Sequence, residues 1–267
     1  MEDIRDILFE EIASKRFRAV LTAERSGVIS GVEEAYACAK ELGIDLELCK
    51  AEGAEVSHGE RFGNFLGTPK QIALAEERLI GTLAKASGIA TASRTAVQLA
   101  DGKTQIVSGS WKKMPPAIKQ MVRKATAAGG AAFRICQPPM VYLDKNFIRM
   151  FGSIPSALTA CKKLPGSTVV VQIRGMTASV AEETRQALEG GAGILMVDTG
   201  DLEDVRQCVA ELERTGERGS VKVAFAGNVH LTDIPDLTEQ GIDILCIGKE
   251  IVDAKLLDLK LDVLQEE

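Results

Sequence analysis

The stretch GILMVDTG, residues 193–200, sets four consecutive apolar residues, Ile194 to Val197, against an acid, a hydroxyl and a glycine. A short continuous apolar run that ends on turn residues reads as a strand buried on both faces. TVVVQIRG (168–175), VKVAFAGN (221–228) and DILCIGKE (243–250) repeat the pattern. Amphipathic segments separate them. TASVAEETRQALEGG offers Thr177 as a cap and stops on Gly190 and Gly191. DLEDVRQCVAELERTG starts on Asp201, repeats Leu202, Val205, Val209 and Leu212, and stops at Gly216. LTDIPDLTEQG is a third, shorter helix. Strands alternating with helices require right-handed crossovers and a parallel sheet, open or closed into a barrel.

The N-terminal third has a different rhythm. FRAVLTAERSGVISG (17–31) reads as a strand and turn, GVEEAYACAKELG as a helix, and residues 44–67 as short strands among turn residues. TPKQIALAEERLIGTLAKASG (68–88) is a helix with Thr68 as cap, Pro69 at its first position, Gln71 closing a capping box, and a stripe of Ile72, Ala75, Leu79, Leu83 and Ala86. An α+β module therefore precedes the repeating half.

Composition removes several function classes. The 267 residues suffice for one α/β barrel or two modest domains, burying roughly 70–75% of the unfolded surface. Thirty-two basic against 38 acidic residues give a net charge of −6, which argues against a nucleic-acid partner. Aromatics at 4% are too few for a base-stacking platform. No apolar run approaches the ~18 residues of a membrane span, and the start MEDIRDILFEE is acidic where a leader would be basic. These features imply a soluble, cytoplasmic protein. The six cysteines lack a CxxC pair and read as reduced thiols, and His58 and His230 have no zinc-ligand spacing.

In repeated βα folds the ligand lies at the carboxyl ends of the strands, and barrels commonly hold phosphate at the last two. Those ends here are Arg174–Gly175, Asp198–Thr199–Gly200, Gly227–Asn228 and Gly248–Lys249. Glycines there either expose N–H groups to an anion or make turns, and spacing alone leaves both readings open. Asp198 is the best carboxylate for a metal or a hydroxyl, against the alternative that it caps the next helix. Lys112, Lys113, Arg123, Lys124 and Arg134 form a basic cluster, a solvated face or an anion site. The apolar neighbours of Arg134 in AAFRICQPP favour an enclosed guanidinium.

RLIGTLAKASGIATASR (78–94), AGGAAFR, GILMVD, VAFAGNV, ILCIGKE and LLDLKLDVL, taken in order, resemble the quinolinate phosphoribosyltransferase family, also called nicotinate-nucleotide pyrophosphorylase. The resemblance implies an N-terminal α/β sandwich domain (1–93, joined by the tail 254–267) and an incomplete C-terminal α/β barrel (94–253). It also implies a homodimer or higher homo-oligomer with sites at the subunit interface. The family moves phosphoribose from phosphoribosyl pyrophosphate, with Mg²⁺, to the nitrogen of a pyridine dicarboxylate and then releases CO₂. Carried over position by position, Arg94, Arg134, Asp198, Asn146, Gly227 and Gly248 match, with at most one lysine kept at Lys112 or Lys113. With the strand-end residues Thr199, Asn228 and Lys249 added, the substrate-binding candidates are Arg94, Arg134, Lys113, Asn146 and Thr199. Lys112 and Asp198 are the catalytic candidates, and Asp198 is also the metal candidate. Gly227, Asn228, Gly248 and Lys249 are the phosphate-binding candidates.

The departures run through several motifs: the glutamate before the family's Ser-Gly-Gly loop becomes Ala224, that loop becomes AGN (226–228), and the early Gly-Asp-Thr-Thr stretch is missing between Ile12 and Phe17. Where the family has Asp-Thr-Arg-Lys-Thr-Thr-Pro-Gly this chain has SGSWKKMPP (108–116), Asn-His-Arg becomes AFR with Phe133, and Lys-Asp-Asn-His becomes DKNF with Asp144 and Phe147. Each lost cation leaves a bound carboxylate without its partner, so quinolinate is not the expected acceptor. Phe133, Phe147 and Trp111 suggest a more apolar pocket, or are ordinary core aromatics. Two readings follow: a divergent phosphoribosyltransferase-like enzyme that binds a phosphorylated sugar at the strand ends, or a non-catalytic paralogue that binds a phosphorylated metabolite or a partner protein.

Overall fold

The computed structural model describes residues 3–266, so residues 1, 2 and 267 at the outer ends of the expected domains lie outside the described part. The chain separates into two compact units. The first comprises residues 1–95, 113–130 and 251–267, and the second 96–112 and 131–250.

In the first unit the strands are β1 (Phe17–Ala23), β2 (Gly27–Val28), β3 (Asp45–Leu48), β4 (Glu55–Val56) and β5 (Arg61–Gly67). The second unit holds β6 (Gln105–Val107), β7 (Met140–Leu143), β8 (Thr168–Ile173), β9 (Ile194–Asp198), β10 (Lys222–Ala226) and β11 (Ile244–Cys246). The chain returns to the first unit as β12 (Leu259–Glu266).

Four of the first unit's strands make an antiparallel sheet in the order β12-β1-β5-β3, and β2 pairs separately with β4. Its core sets Leu21, Ile29, Phe62 and Phe65 against Ile72, Ala75, Leu79 and Leu83, the apolar stripe of the long helix. That helix opens as its sequence requires: the Thr68 N–H donates to Gln71 Oε1 at 2.9 Å and the Gln71 N–H to Thr68 Oγ1 at 3.5 Å. It does not stop at Gly88 but runs from Pro69 to Ala100. The reason is tertiary, since a Cβ at residue 88 would lie 2.1 Å from the Lys255 carbonyl oxygen. This glycine admits a neighbouring backbone rather than ending the helix.

The second unit is the repeating half. Its six strands are all parallel, in the order β6-β11-β10-β9-β8-β7, and a further parallel bridge joins Val107 to Ala132. This is the α/β architecture expected, an antiparallel-sheet module and an incomplete barrel. One face of the sheet buries Val107, Val170, Ile194, Met196, Ala224 and Ile244 around Ile135. Asp201 caps the helix Leu202–Thr215 by accepting the Glu203 N–H at 2.8 Å, and Gly216 ends it in the left-handed conformation at φ +75°.

The cap expected at Thr177 is Ser179 instead, which accepts the Glu182 N–H at 3.3 Å at the start of Val180–Glu189. Thr177 is occupied elsewhere. Its N–H and hydroxyl both donate to Glu183 Oε1, at 2.7 and 2.9 Å.

Candidate active site

Strand register assembles the site. Asp198, Ala226 and Cys246 are direct partners across β9, β10 and β11, so they stand in one row at the carboxyl ends of the strands. Gln172 pairs with Met196, two residues before Asp198, and Tyr142 pairs with Val170, two residues before Gln172. Period-two alternation therefore puts Tyr142, Gln172, Asp198 and Cys246 on one face of the sheet.

Asp198 is not a helix cap. Its Oδ2 accepts the Arg174 guanidinium at 2.8 Å and the Gln172 side-chain amide, while Oδ1 accepts no hydrogen bond among the described residues. Gln172 is itself fixed, because its Oε1 accepts the Lys145 N–H at 2.6 Å. One carboxylate oxygen is thus anchored and the other is open.

Lys112 reaches the same end of the sheet, its Nζ 5.2 Å from the centroid of the Tyr142 ring. It forms no ion pair among the described residues. Burial pushes the Tyr142 phenol above its ordinary range, and the charges of Asp198 and Asp144 add to the shift, so the hydroxyl stays protonated. Burial likewise pushes the Cys246 thiol up to about 12, with Asp198 raising it further and Lys112 opposing. Trp111 donates its indole N–H to the Phe133 carbonyl at 2.7 Å, which fixes the segment leading into Lys112.

The other candidates divide. Arg134 is exposed, its guanidinium 5.7 Å over the Phe133 ring, and not enclosed as its apolar neighbours suggested. The exposed Arg134 precedes the buried Ile135, so the apolar context belongs to the opposite side of the chain. Arg94 lies in the first unit and its donors are spent there, on Gly129 O at 3.1 Å, Glu55 at 3.1 Å, and the carbonyls of Gly53 and Ala128 at 3.4 Å. Lys113 is also in the first unit, whereas Lys112 and Arg134 are in the second. Lys124 is held by Glu33 and Glu34, which raise its pKa.

Asp144 caps the helix Lys145–Phe151, accepting the N–H groups of Asn146 and Phe147 at 2.8 and 3.0 Å. Asn146 and Phe147 are exposed, so Phe147 is neither a pocket wall nor a core aromatic. The Thr199 hydroxyl accepts the Asp201 N–H at 3.2 Å in a local turn.

The strand-end glycines also divide. The Gly175 N–H donates to Glu183 Oε2 at 2.8 Å and the Gly200 N–H to Ala226 O at 3.1 Å, so neither faces an anion from outside. Gly227, at φ +125°, is required by packing: a Cβ there would lie 2.3 Å from the Gly200 nitrogen. Gly248 is different, since a Cβ would meet only the Ser110 hydroxyl, at 2.7 Å. Lys249 and Asn228 are exposed, and Asn228 Nδ2 lies 3.1 Å from His230 Nε2.

Sequence reasoning placed Arg174 at a strand end but missed Tyr142 and Gln172 as members of this constellation. A glutamine inside the apolar run TVVVQIRG was a legible signal. An aromatic residue in a strand was not.

The comparisons agree with this architecture. The family models described as Quinolinate phosphoribosyl transferase, N-terminal and C-terminal domains, match residues 6–87 and 89–262. A probable nicotinate-nucleotide pyrophosphorylase (carboxylating) of Methanothermobacter thermautotrophicus is 27% identical over 97% of this chain and 95% of its own length. The human nicotinate-nucleotide pyrophosphorylase (carboxylating) is 26% identical over 94% of this chain and 83% of its own. The solved nicotinate-nucleotide pyrophosphorylase of Francisella tularensis superposes with a TM-score of 0.81 at 24% identity, covering 98% of this chain and 94% of that one. No helix among the described residues is long and apolar enough to cross a membrane. Matched by both domain models along nearly its whole length, the chain belongs to the quinolinate phosphoribosyltransferase family.

Proposed function

We propose that the protein is a phosphoribosyl-transferring enzyme that binds a phosphorylated sugar at the carboxyl ends of β8 to β11, with an acceptor other than pyridine 2,3-dicarboxylate. The observation that carries this is the half-anchored Asp198 carboxylate: Arg174 and Gln172 hold Oδ2, leaving Oδ1 open. In the transfer, the bond from the sugar's anomeric carbon to pyrophosphate breaks and its electron pair leaves with the pyrophosphate. The acceptor nitrogen then supplies the pair for the new C–N bond. Asp198 Oδ1 takes a ribose hydroxyl and stabilises the positive charge that develops on the sugar.

Mg²⁺, implied by the resemblance, belongs to the same proposal. Among the described residues no group of three or more His, Cys, Asp or Glu could hold the ion alone, but Mg²⁺ that arrives with substrate phosphates needs only one or two protein carboxylates, and Asp198, with one oxygen still open, is the candidate. Homodimerisation, with sites at the subunit interface as the resemblance implies, remains part of the proposal.

A second reading, a non-catalytic binder, draws support from Arg94, whose donors are all engaged within the first unit. Thermal unfolding with phosphoribosyl pyrophosphate, in buffer containing Mg²⁺, tests the sugar site. A ligand at 100 times its Kd adds about 2.7 kcal/mol, raising Tm by roughly 5 °C for a chain of this size. Asp198→Asn removes most of that rise. No rise at millimolar ligand sinks the proposal, and a rise without pyrophosphate release from any heterocyclic acceptor selects the binder.

A further inference from the structure

Tyr142 is the one aromatic side chain named above that stands on the same sheet face as Asp198 and Cys246, and the family resemblance gave it no role. It lies one residue before the end of β7, half-buried. Its hydroxyl has no hydrogen-bond partner among the described residues, although Asp198, Asp144, Arg174 and Cys246 all act on it electrostatically. One ring face carries the Lys112 ammonium. The phenol is therefore a neutral donor with an unfilled valence in the middle of the proposed site.

The charges around it define what it can receive. Arg174 is paired with Asp198, and the Asp144 carboxylate caps the start of Lys145–Phe151. Lys112 is the cation facing Tyr142 without an acidic partner among the described residues. One carboxylate on a ligand finds Lys112, the one cation shown over the Tyr142 ring among the described residues; a second would meet the field of Asp144 and Asp198, which both act on the Tyr142 hydroxyl, and an enclosed unpaired carboxylate is strongly disfavoured.

We propose that Tyr142 is a specificity-determining residue whose hydroxyl, with the Lys112 ammonium, receives an aromatic heterocycle bearing a single carboxylate, and rejects a dicarboxylate. This rests on the transfer reading and names its acceptor class. The phenol donates to the carboxylate or to a ring heteroatom, and Lys112 supplies the countercharge. It is a binding role: Tyr142 moves no proton.

Trp111 is the only tryptophan in the chain and immediately precedes Lys112, so its fluorescence reports acceptor binding directly. The probes are pyridine-3-carboxylate, pyridine-3-carboxamide and pyridine-2,3-dicarboxylate, each titrated with and without phosphoribosyl pyrophosphate. In the wild type the monocarboxylate binds at least about tenfold more tightly than the dicarboxylate, the cost of one unpaired charge. Tyr142→Phe weakens the monocarboxylate about ten- to a hundredfold, the worth of one hydrogen bond to a charged group, and retains the Tm rise with phosphoribosyl pyrophosphate. That retained rise also certifies that the variant folds. Lys112→Gln reverses the preference between carboxylate and carboxamide. Equal binding of mono- and dicarboxylate, or unchanged monocarboxylate binding in Tyr142→Phe, overturns the inference. So does the absence of any pyridine titration in a protein that the sugar still stabilises. The failure of the transfer reading has its own signature: pyridines discriminated through Tyr142, with no sugar stabilisation and no pyrophosphate release.

Discussion

Two carboxylates of the second unit, Glu183 and Asp198, make opposite use of strand ends. After β8 the chain wraps around Glu183: the N–H groups of Arg174, Gly175, Met176 and Thr177 donate to it at 2.7–2.9 Å, joined by the Thr177 hydroxyl. Both oxygens are saturated and the side chain is nearly buried. After β9, Asp198 has one oxygen held and the other open, and remains about a third exposed. The loop after β8 is an anion cradle already filled by the protein's own acid; the rim at Asp198 still has capacity for a ligand. A strand end rich in N–H groups is thus a binding site only when no side chain has reached it first.

The largest effect separating the two belongs to Glu183. Burial alone would raise its pKa, but the hydrogen bonds from Thr177, Arg174 and Gly175 outweigh burial and hold it below the ordinary glutamate value of 4.5. A depressed folded-state pKa gives stability that is fully present above the unfolded value and is lost as pH falls through the folded one. Glu183→Gln, which keeps the shape but sets an NH₂ group against donors, should cost about 3 kcal/mol at neutral pH. In urea unfolding followed across the acid range, the wild type should lose its advantage over the variant below the ordinary glutamate range. A variant within about 0.5 kcal/mol of wild type at pH 7 would break the contrast.

Packing gives the next effect. Gly227→Ala forces a Cβ into the Gly200 backbone and should destabilise by about 2–3 kcal/mol, whereas Gly248→Ala displaces only the Ser110 hydroxyl and should cost less than about 1 kcal/mol. Equal losses would mean that the two strand ends are not different in kind. The smallest stability effect is at the open carboxylate. Asp198→Asn removes a partly exposed ion pair, worth about 0–1 kcal/mol, yet should abolish stabilisation by the sugar ligand.

These contrasts explain what the sequence made legible. ILMVD and VKVAFA announced buried parallel strands because nearly every residue between the turn signals is apolar, Lys222 at the start of β10 being the exception, and Asp201 and Gly216 marked a helix whose ends are set locally. Gly88 misled because its cause lies at Lys255, far along the chain. Thr177 misled because Glu183, six residues on, competes for it. The strand-end glycines were visible but their partners were not: Gly175 serves Glu183, and Gly200 with Gly227 serves a backbone contact. Tyr142 was hidden altogether, since an aromatic residue in a strand carries no mark of an unpaired hydroxyl.

The most direct test is a crystal structure of the protein with phosphoribosyl pyrophosphate. A ribose hydroxyl within hydrogen-bond distance of Asp198 Oδ1, with Glu183 still enclosed by residues 174–177, is the result expected here. A phosphate seated in that loop in place of Glu183, or a sugar bound away from the ends of β9 to β11, would contradict it.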